Sequence, residues 1–143
     1  MRFMIIRRAD EETEAGAQPS EELFEAMSRY NEELLKAGAL LDGAGLTPSS
    51  LGAAVEWRGG AGPTVVDGPF AEGKELVAGY TMIQADSLQD AIELVKRWPT
   101  LDGHGNVELE IRRVGELEDY DISDELKEKE RQLRADSEQN RKV

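Results

Sequence analysis

The chain predicts an α+β domain: a ferredoxin-like split β-α-β sandwich with an inserted hairpin and a C-terminal helical extension. Three observations lead there. The periodic segments run strand, helix, short strand and hairpin, strand, helix, strand, which makes two strand–helix–strand units. The opening strand is apolar on both sides, with Phe3 and Ile5 on one and Met4 and Ile6 on the other, as in a strand covered on both faces. Two helices on such a sheet cover one face only, so the second face needs another cover. In a chain of 143 residues with a polar tail, the expected cover is a second copy of the same sheet. A homodimer with its two sheets face to face is therefore expected.

Each element has its own justification. Residues 2–8 form the first strand, and the polar stretch 10–18 reads as loop. Pro19-Ser20 caps a helix over 21–36, with Glu21 and Glu22 at the positive end of its dipole. Leu23, Met27, Tyr30 and Leu34 make its inward stripe, broadened by Phe24 and Leu35, and Gly38 ends it. A short strand at 39–41 precedes a bent segment, Gly43-Ala44-Gly45-Leu46-Thr47-Pro48. The β-favouring runs 54–58 and 64–66 flank Gly59-Gly60-Ala61-Gly62-Pro63 and predict a hairpin. A strand at 77–85 follows, then a helix that starts at Asp86 or Ser87, turns Leu88, Ala91, Ile92 and Val95 inward, and stops at Pro99. In the last strand, 107–114, Val107, Leu109 and Ile111 face one way; Glu108, Glu110 and Arg112 face the other, read here as mainly toward water. From Ser123 the tail favours helix, with Glu125–Lys129 and Glu130–Arg134 spaced as ion pairs. Only Leu126 and Leu133 are available to bury on it, which makes it marginal alone. The expected organisation is a domain over 1–115 and a charged extension over 116–143.

Composition limits the function. Net charge is −13, of which the extension contributes −4, so the body itself is acidic. An acidic body lacks the phosphate-neutralising surface of a nucleic-acid binder and is repelled by anionic membranes. The absence of cysteine excludes disulfides, thiolate nucleophiles and Cys-ligated metal. A single histidine without cysteine does not make a usual zinc site, and no carboxylate spacing suggests Mg or Ca, so no metal and no cofactor is expected. No apolar run approaches the roughly 20 residues of a membrane span, and the start lacks a signal-peptide pattern. A cytoplasmic location is the expectation.

The densest information lies in Asp67-Gly68-Pro69-Phe70-Ala71-Glu72, followed by Lys74-Glu75 and Val77-Ala78-Gly79-Tyr80. With the opening Met1-Arg2-Phe3-Met4-Ile5-Ile6, with Tyr30-Asn31-Glu32-Glu33-Leu34 and with Gly45-Leu46-Thr47-Pro48-Ser49-Ser50, this order resembles the YCII-related proteins of the DGPF-motif subgroup. The similarity runs over roughly four-fifths of the chain, from Met1 to Gly115. It implies a dimeric α/β barrel with a pocket between the two sheets, in a superfamily that includes muconolactone isomerase-like enzymes and small oxygenases. Occurrence of some relatives beside extracytoplasmic-function sigma factors implies a regulatory alternative. Two departures bear on chemistry. The YCII branch carries a helix histidine proposed to pair with an Asp, whereas the helix 21–36 here has none. Many DGPF members read Gly-Glu-Gly-Leu-His-Pro where this chain has Ala44 and Thr47 in place of the carboxylate and the imidazole.

Candidate site residues follow. Asp67, at a strand end beside Pro69 and Phe70, is either a general acid–base group or a turn residue capping nearby backbone N–H groups. Lys74 between Glu72 and Glu75 suits a substrate anion, though such triplets also serve only solubility. Tyr80, on the strand with Met82 and Gln84, offers a hydroxyl inside an apolar pocket or is core packing. Asp67 is thus the candidate catalytic residue, with Phe70, Glu72, Lys74 and Tyr80 as substrate contacts. His104, flanked by glycines, reads as an exposed loop residue. The function expected is a small-molecule site between sheets with simple acid–base chemistry and an unassigned reaction. The alternative is a non-catalytic protein that docks a regulatory partner.

Overall fold

The structure, a computed structural model, describes residues 1–70 and 76–142. Its axis is strand β1 (Arg2–Arg8), which pairs antiparallel with β5 (Val77–Gln84) on one side and with β6 (Leu109–Arg113) on the other. Strand β2 (Leu40–Gly45) adds outside β5, so the order is β2-β5-β1-β6 with every pair antiparallel. Strands β3 (Ala53–Glu56) and β4 (Thr64–Asp67) form a separate two-stranded ribbon between β2 and β5 in the chain. Four helices complete the α+β arrangement among the described residues: α1 (Glu11–Glu14), α2 (Glu21–Lys36), α3 (Leu88–Val95) and α4 (Asp124–Gln139).

The core lies on one side of the four-stranded sheet. Phe3 and Ile5 of β1 and Ile83 of β5 are sealed by Tyr30 and Leu34 of α2 and by Ala91 and Val95 of α3. Alternation along each strand puts these residues on one face and their neighbours on the other. The capping logic holds at both helices. The Ser20 hydroxyl accepts from the Leu23 N–H, and the Ser87 hydroxyl from the Asp90 N–H. Tyr30 donates its hydroxyl to the Leu94 carbonyl at 2.8 Å and meets Trp98 edge to face at 5.4 Å, locking the two helices together. Burial pushes the Tyr30 phenol up to about 12.

Several expectations are corrected. The stretch 10–18 is not all loop, because Asp10 and Thr13 cap each other reciprocally and nucleate α1. The bent segment at 43–45 is instead the continuation of β2. There a Cβ on Gly79 would come within 2.9 Å of the Ala44 carbonyl, so glycine marks close strand approach rather than a bend. Phe24 and Leu35 do not broaden the buried stripe. They lie about 100° around α2 from its centre and are exposed. Leu88 is exposed as well, since a first-turn side chain leans back beyond the helix start. On α4 the predicted i,i+4 pairs are replaced by Arg131, which reaches Glu128 at 3.0 Å and Glu118 at 4.0 Å. Leu126 and Leu133 stay exposed. Among the described residues, no helix is long and apolar enough to cross a membrane.

Candidate ligand-binding face

The side of the sheet away from α2 and α3 carries a defined grid. Across the strands, one row reads Asp42, Met82, Met4, Arg112, and the next reads Ala44, Tyr80, Ile6, Glu110. Met4, Ile6, Tyr80 and Met82 therefore form an apolar block on the two central strands, flanked on the edges by Asp42 and Ala44 on one side and by Glu110 and Arg112 on the other. All four are half-buried, and none belongs to the sealed core. Beyond Ile6, Arg8 donates to Glu110 at 2.9 Å, while Arg112 lies 3.9 Å from the other oxygen of the same carboxylate. Glu110 thus stands between two guanidinium groups on this face.

The residues expected to form a site are placed unevenly. Tyr80 is on this open face, directly opposite Ile6 and Ala44. Asp67 is exposed at the end of β4 in the ribbon, opposite Ala53. Phe70 is half-buried, and its N–H donates to the Ser49 hydroxyl at 3.1 Å. Glu72 and Lys74 lie outside the described residues. His104 pairs with Glu12 at 3.1 Å, both well exposed, at a backbone φ of 54°.

The turn after Asp67 is anchored by its neighbours. Ser49 donates its hydroxyl to Glu14 at 2.6 Å and accepts from Phe70, so α1, the 49–51 turn and the end of the ribbon are tied together. Gly68 donates its N–H to the Gly52 carbonyl, and any Cβ there would collide with the Ser49 carbonyl. The Gly68–Pro69 peptide is cis. Glycine at 68 is a packing requirement. Sequence reasoning missed Glu14 and Ser49, because partners 35 residues apart carry no local signal.

A buried ion pair closes the end of the sheet on the helical side. Arg7 makes two bonds to Asp102, at 2.7 and 3.1 Å, and Trp98 donates its indole N–H to the same carboxylate at 2.9 Å. Arg7 also reaches Asp10 at 3.2 Å. The hydrogen bond that Arg7 donates to Asp102 holds its guanidinium above its ordinary range, against burial. Burial would raise the Asp10 carboxyl, but the Thr13 N–H and the Arg7 charge outweigh it and leave it below the usual range. All of these partners are satisfied within the fold, as a structural pair must be.

Among the described residues, two recesses of about 560 and 360 Å3 stand out, and neither is lined by Asp67, Phe70 or Tyr80. The larger one sits where Met1, Gly38 and Gln84 meet Leu94 and Arg97. The smaller is bounded by Arg7, Asp10 and Glu108. Among the described residues, no group of three or more His, Cys, Asp or Glu is arranged to hold a metal ion. Among the described residues, neither recess is built on the apolar block of Met4, Ile6, Tyr80 and Met82.

Comparison with known proteins supplies the relationship. An uncharacterized protein of Rhizobium meliloti (strain 1021) is 36% identical over 77 residues, which cover 53% of this chain and 60% of that one. The chain thus matches less than two-thirds of that relative's length. Among solved structures, a 5-chloro-2-hydroxyhydroquinone dehydrochlorinase from Burkholderia phenoliruptrix AC1100, in complex with 2,5-dihydroxybenzoquinone, aligns with a TM-score of 0.44 at 15% identity. That alignment covers 85% of this chain and all of the other. The YCII-related domain model matches residues 1–115, from the first strand past β6, and by that match the chain belongs to the YCII-related domain family.

Proposed function

We propose that two copies of the chain close on each other through the open face, as a dimeric α/β barrel of ferredoxin-like halves, and that the chamber between them holds a small organic molecule. One observation carries this reading. Met4, Ile6, Tyr80 and Met82 form an apolar block on the central strands, on the face away from both core helices. Apolar surface left in water forgoes roughly 25 cal/mol per Å2, and a two-fold pairing of identical faces recovers it. An apolar chamber with a few polar groups at its margin is the usual composition of a small-molecule site.

Within this reading the chain is a DGPF-type member of its family and works in the cytoplasm, with 116–143 as an extension outside the chamber. Tyr80 is a ligand contact from the floor. Asp67 is the acid–base group to test, with Phe70, Glu72 and Lys74 as contacts from the same turn region. The chemistry is a proton transfer of the isomerisation or hydration kind.

Sedimentation velocity over a wide concentration range tests the assembly. The expected result is a dimer that becomes a folded monomer in Ile6→Asp. A wild-type chain that stays monomeric at every concentration overturns the reading.

A further inference from the structure

We infer that the site on the open face takes an anionic ligand with an apolar body, and that Arg112 is the residue that receives its charged group. The inference rests on the small-molecule chamber proposed above and names the class of molecule it holds.

The argument starts from the arginines of the sheet. Strands β1 and β6 carry Arg2, Arg7, Arg8, Arg112 and Arg113. Four of them are hydrogen-bonded to carboxylates: Arg2 to Glu116, Arg7 to Asp102, Arg8 to Glu110 and Arg113 to Asp119. Among the described residues, Arg112 makes no such bond. Its nearest carboxylate is Glu110, at 3.9 Å, and its side chain is 70% exposed. Glu110 is already engaged through its other oxygen by Arg8.

The result is a guanidinium steered but not saturated. Glu110 lies close enough to hold Arg112 over the face by Coulomb attraction, yet leaves the fork of N–H donors open for a planar anion. Register then fixes what lies beside it. Arg112 is directly opposite Met4, Met4 is opposite Met82, and Ile6 and Tyr80 make the adjoining row. A ligand whose carboxylate, sulfonate or enolate meets Arg112 would therefore lay its body on the Met4, Ile6, Tyr80 and Met82 block. The row ends at Asp42 on the far edge, which disfavours a second negative group there. In a chain of net charge −13, an arginine held only loosely by Glu110 at the margin of an apolar block is the feature that selects an anion.

The test uses the full-length chain and two fluorescent probes with related aromatic bodies: 8-anilinonaphthalene-1-sulfonate, and N-phenyl-1-naphthylamine, which lacks the sulfonate. Wild type is expected to bind the sulfonate the more tightly. Arg112→Ala should weaken sulfonate binding about tenfold or more while leaving the neutral probe and the dimer unchanged, and Arg112→Lys should restore part of it. Equal sulfonate affinity in wild type and Arg112→Ala overturns the inference and leaves the chamber standing. If Arg112→Ala instead loses the dimer, Arg112 is an assembly contact and the ligand role is overturned. A wild-type monomer that binds neither probe overturns the inference and the chamber together.

Discussion

The two faces of the four-stranded sheet are built from alternate residues of the same strands, yet they are treated in opposite ways. On one face Phe3, Ile5 and Ile83 are sealed beneath two helices, and even the charged Arg7 is buried with all its partners supplied. On the other, Met4, Ile6, Tyr80 and Met82 are no less apolar but only half-buried, and Arg112 has a spare fork. The difference teaches where each property resides. Stability of the single chain belongs to the helical face, and the proposed ligand chamber belongs to the open one.

The sharpest way to break that comparison is to cut the equivalent ion pair on each face. Asp102→Ala removes both hydrogen bonds of the buried Arg7–Asp102 pair, leaves Arg7 only Asp10 and a backbone carbonyl, and should cost about 3–5 kcal/mol in urea unfolding. Glu110→Ala, on the open face, should cost no more than about 1 kcal/mol. Equal losses would mean that both faces support the single chain alike.

Adjacent isoleucines give the next contrast. Ile5→Ala should destabilise by about 2–5 kcal/mol at any protein concentration. Ile6→Ala should cost the isolated chain about 1 kcal/mol or less, with its larger effect on assembly, read by sedimentation.

Alkali then probes the helical face through Tyr30. The folded state holds the Tyr30 phenol at about 12, above its ordinary value of 10, so it favours the neutral form. Stability from this group is complete below pH 10 and drains away as pH rises toward 12. About 2–3 kcal/mol is at stake, and Tyr30→Phe should flatten that limb of the pH–stability profile.

The smallest effect concerns the ribbon. Gly68→Ala drives a Cβ into the Ser49 carbonyl and should loosen the ribbon's base by about 1–2 kcal/mol, whereas Gly62→Ala, with open space around it, should be silent. Hydrogen exchange should show the Gly68→Ala loss confined to the ribbon and to 49–52. A loss spread over the whole sheet would reveal the ribbon as a roof on the open face.

Much of this architecture was legible in the sequence because its signals are local. Ser20 and Ser87 announced their helices, alternation announced β6, and Asp67-Gly68-Pro69 announced the end of the ribbon. What stayed hidden depends on register. The sequence places Glu110 and Arg112 on one side of their strand, but only the pairing of β1 with β6 sets them beside Ile6 and Met4. The same holds for Arg7 with Asp102 and for Glu14 with Ser49, which are distant in the chain and chemically unremarkable alone. Of the residues expected in a site, Tyr80 was assigned to the right kind of strand by its apolar neighbours. Asp67 lay beyond such reasoning, because its surroundings are set by how the ribbon is carried.

The ribbon also has a consequence for how freely this protein can vary. It leaves β2 at Gly45 and returns to β5, where Gly45 and Gly79 stand directly opposite each other. To the sheet, everything between is an excursion that could be replaced by a tight hairpin turn without altering strand order. Length and chemistry can therefore be rewritten there while the frame of four strands stays put.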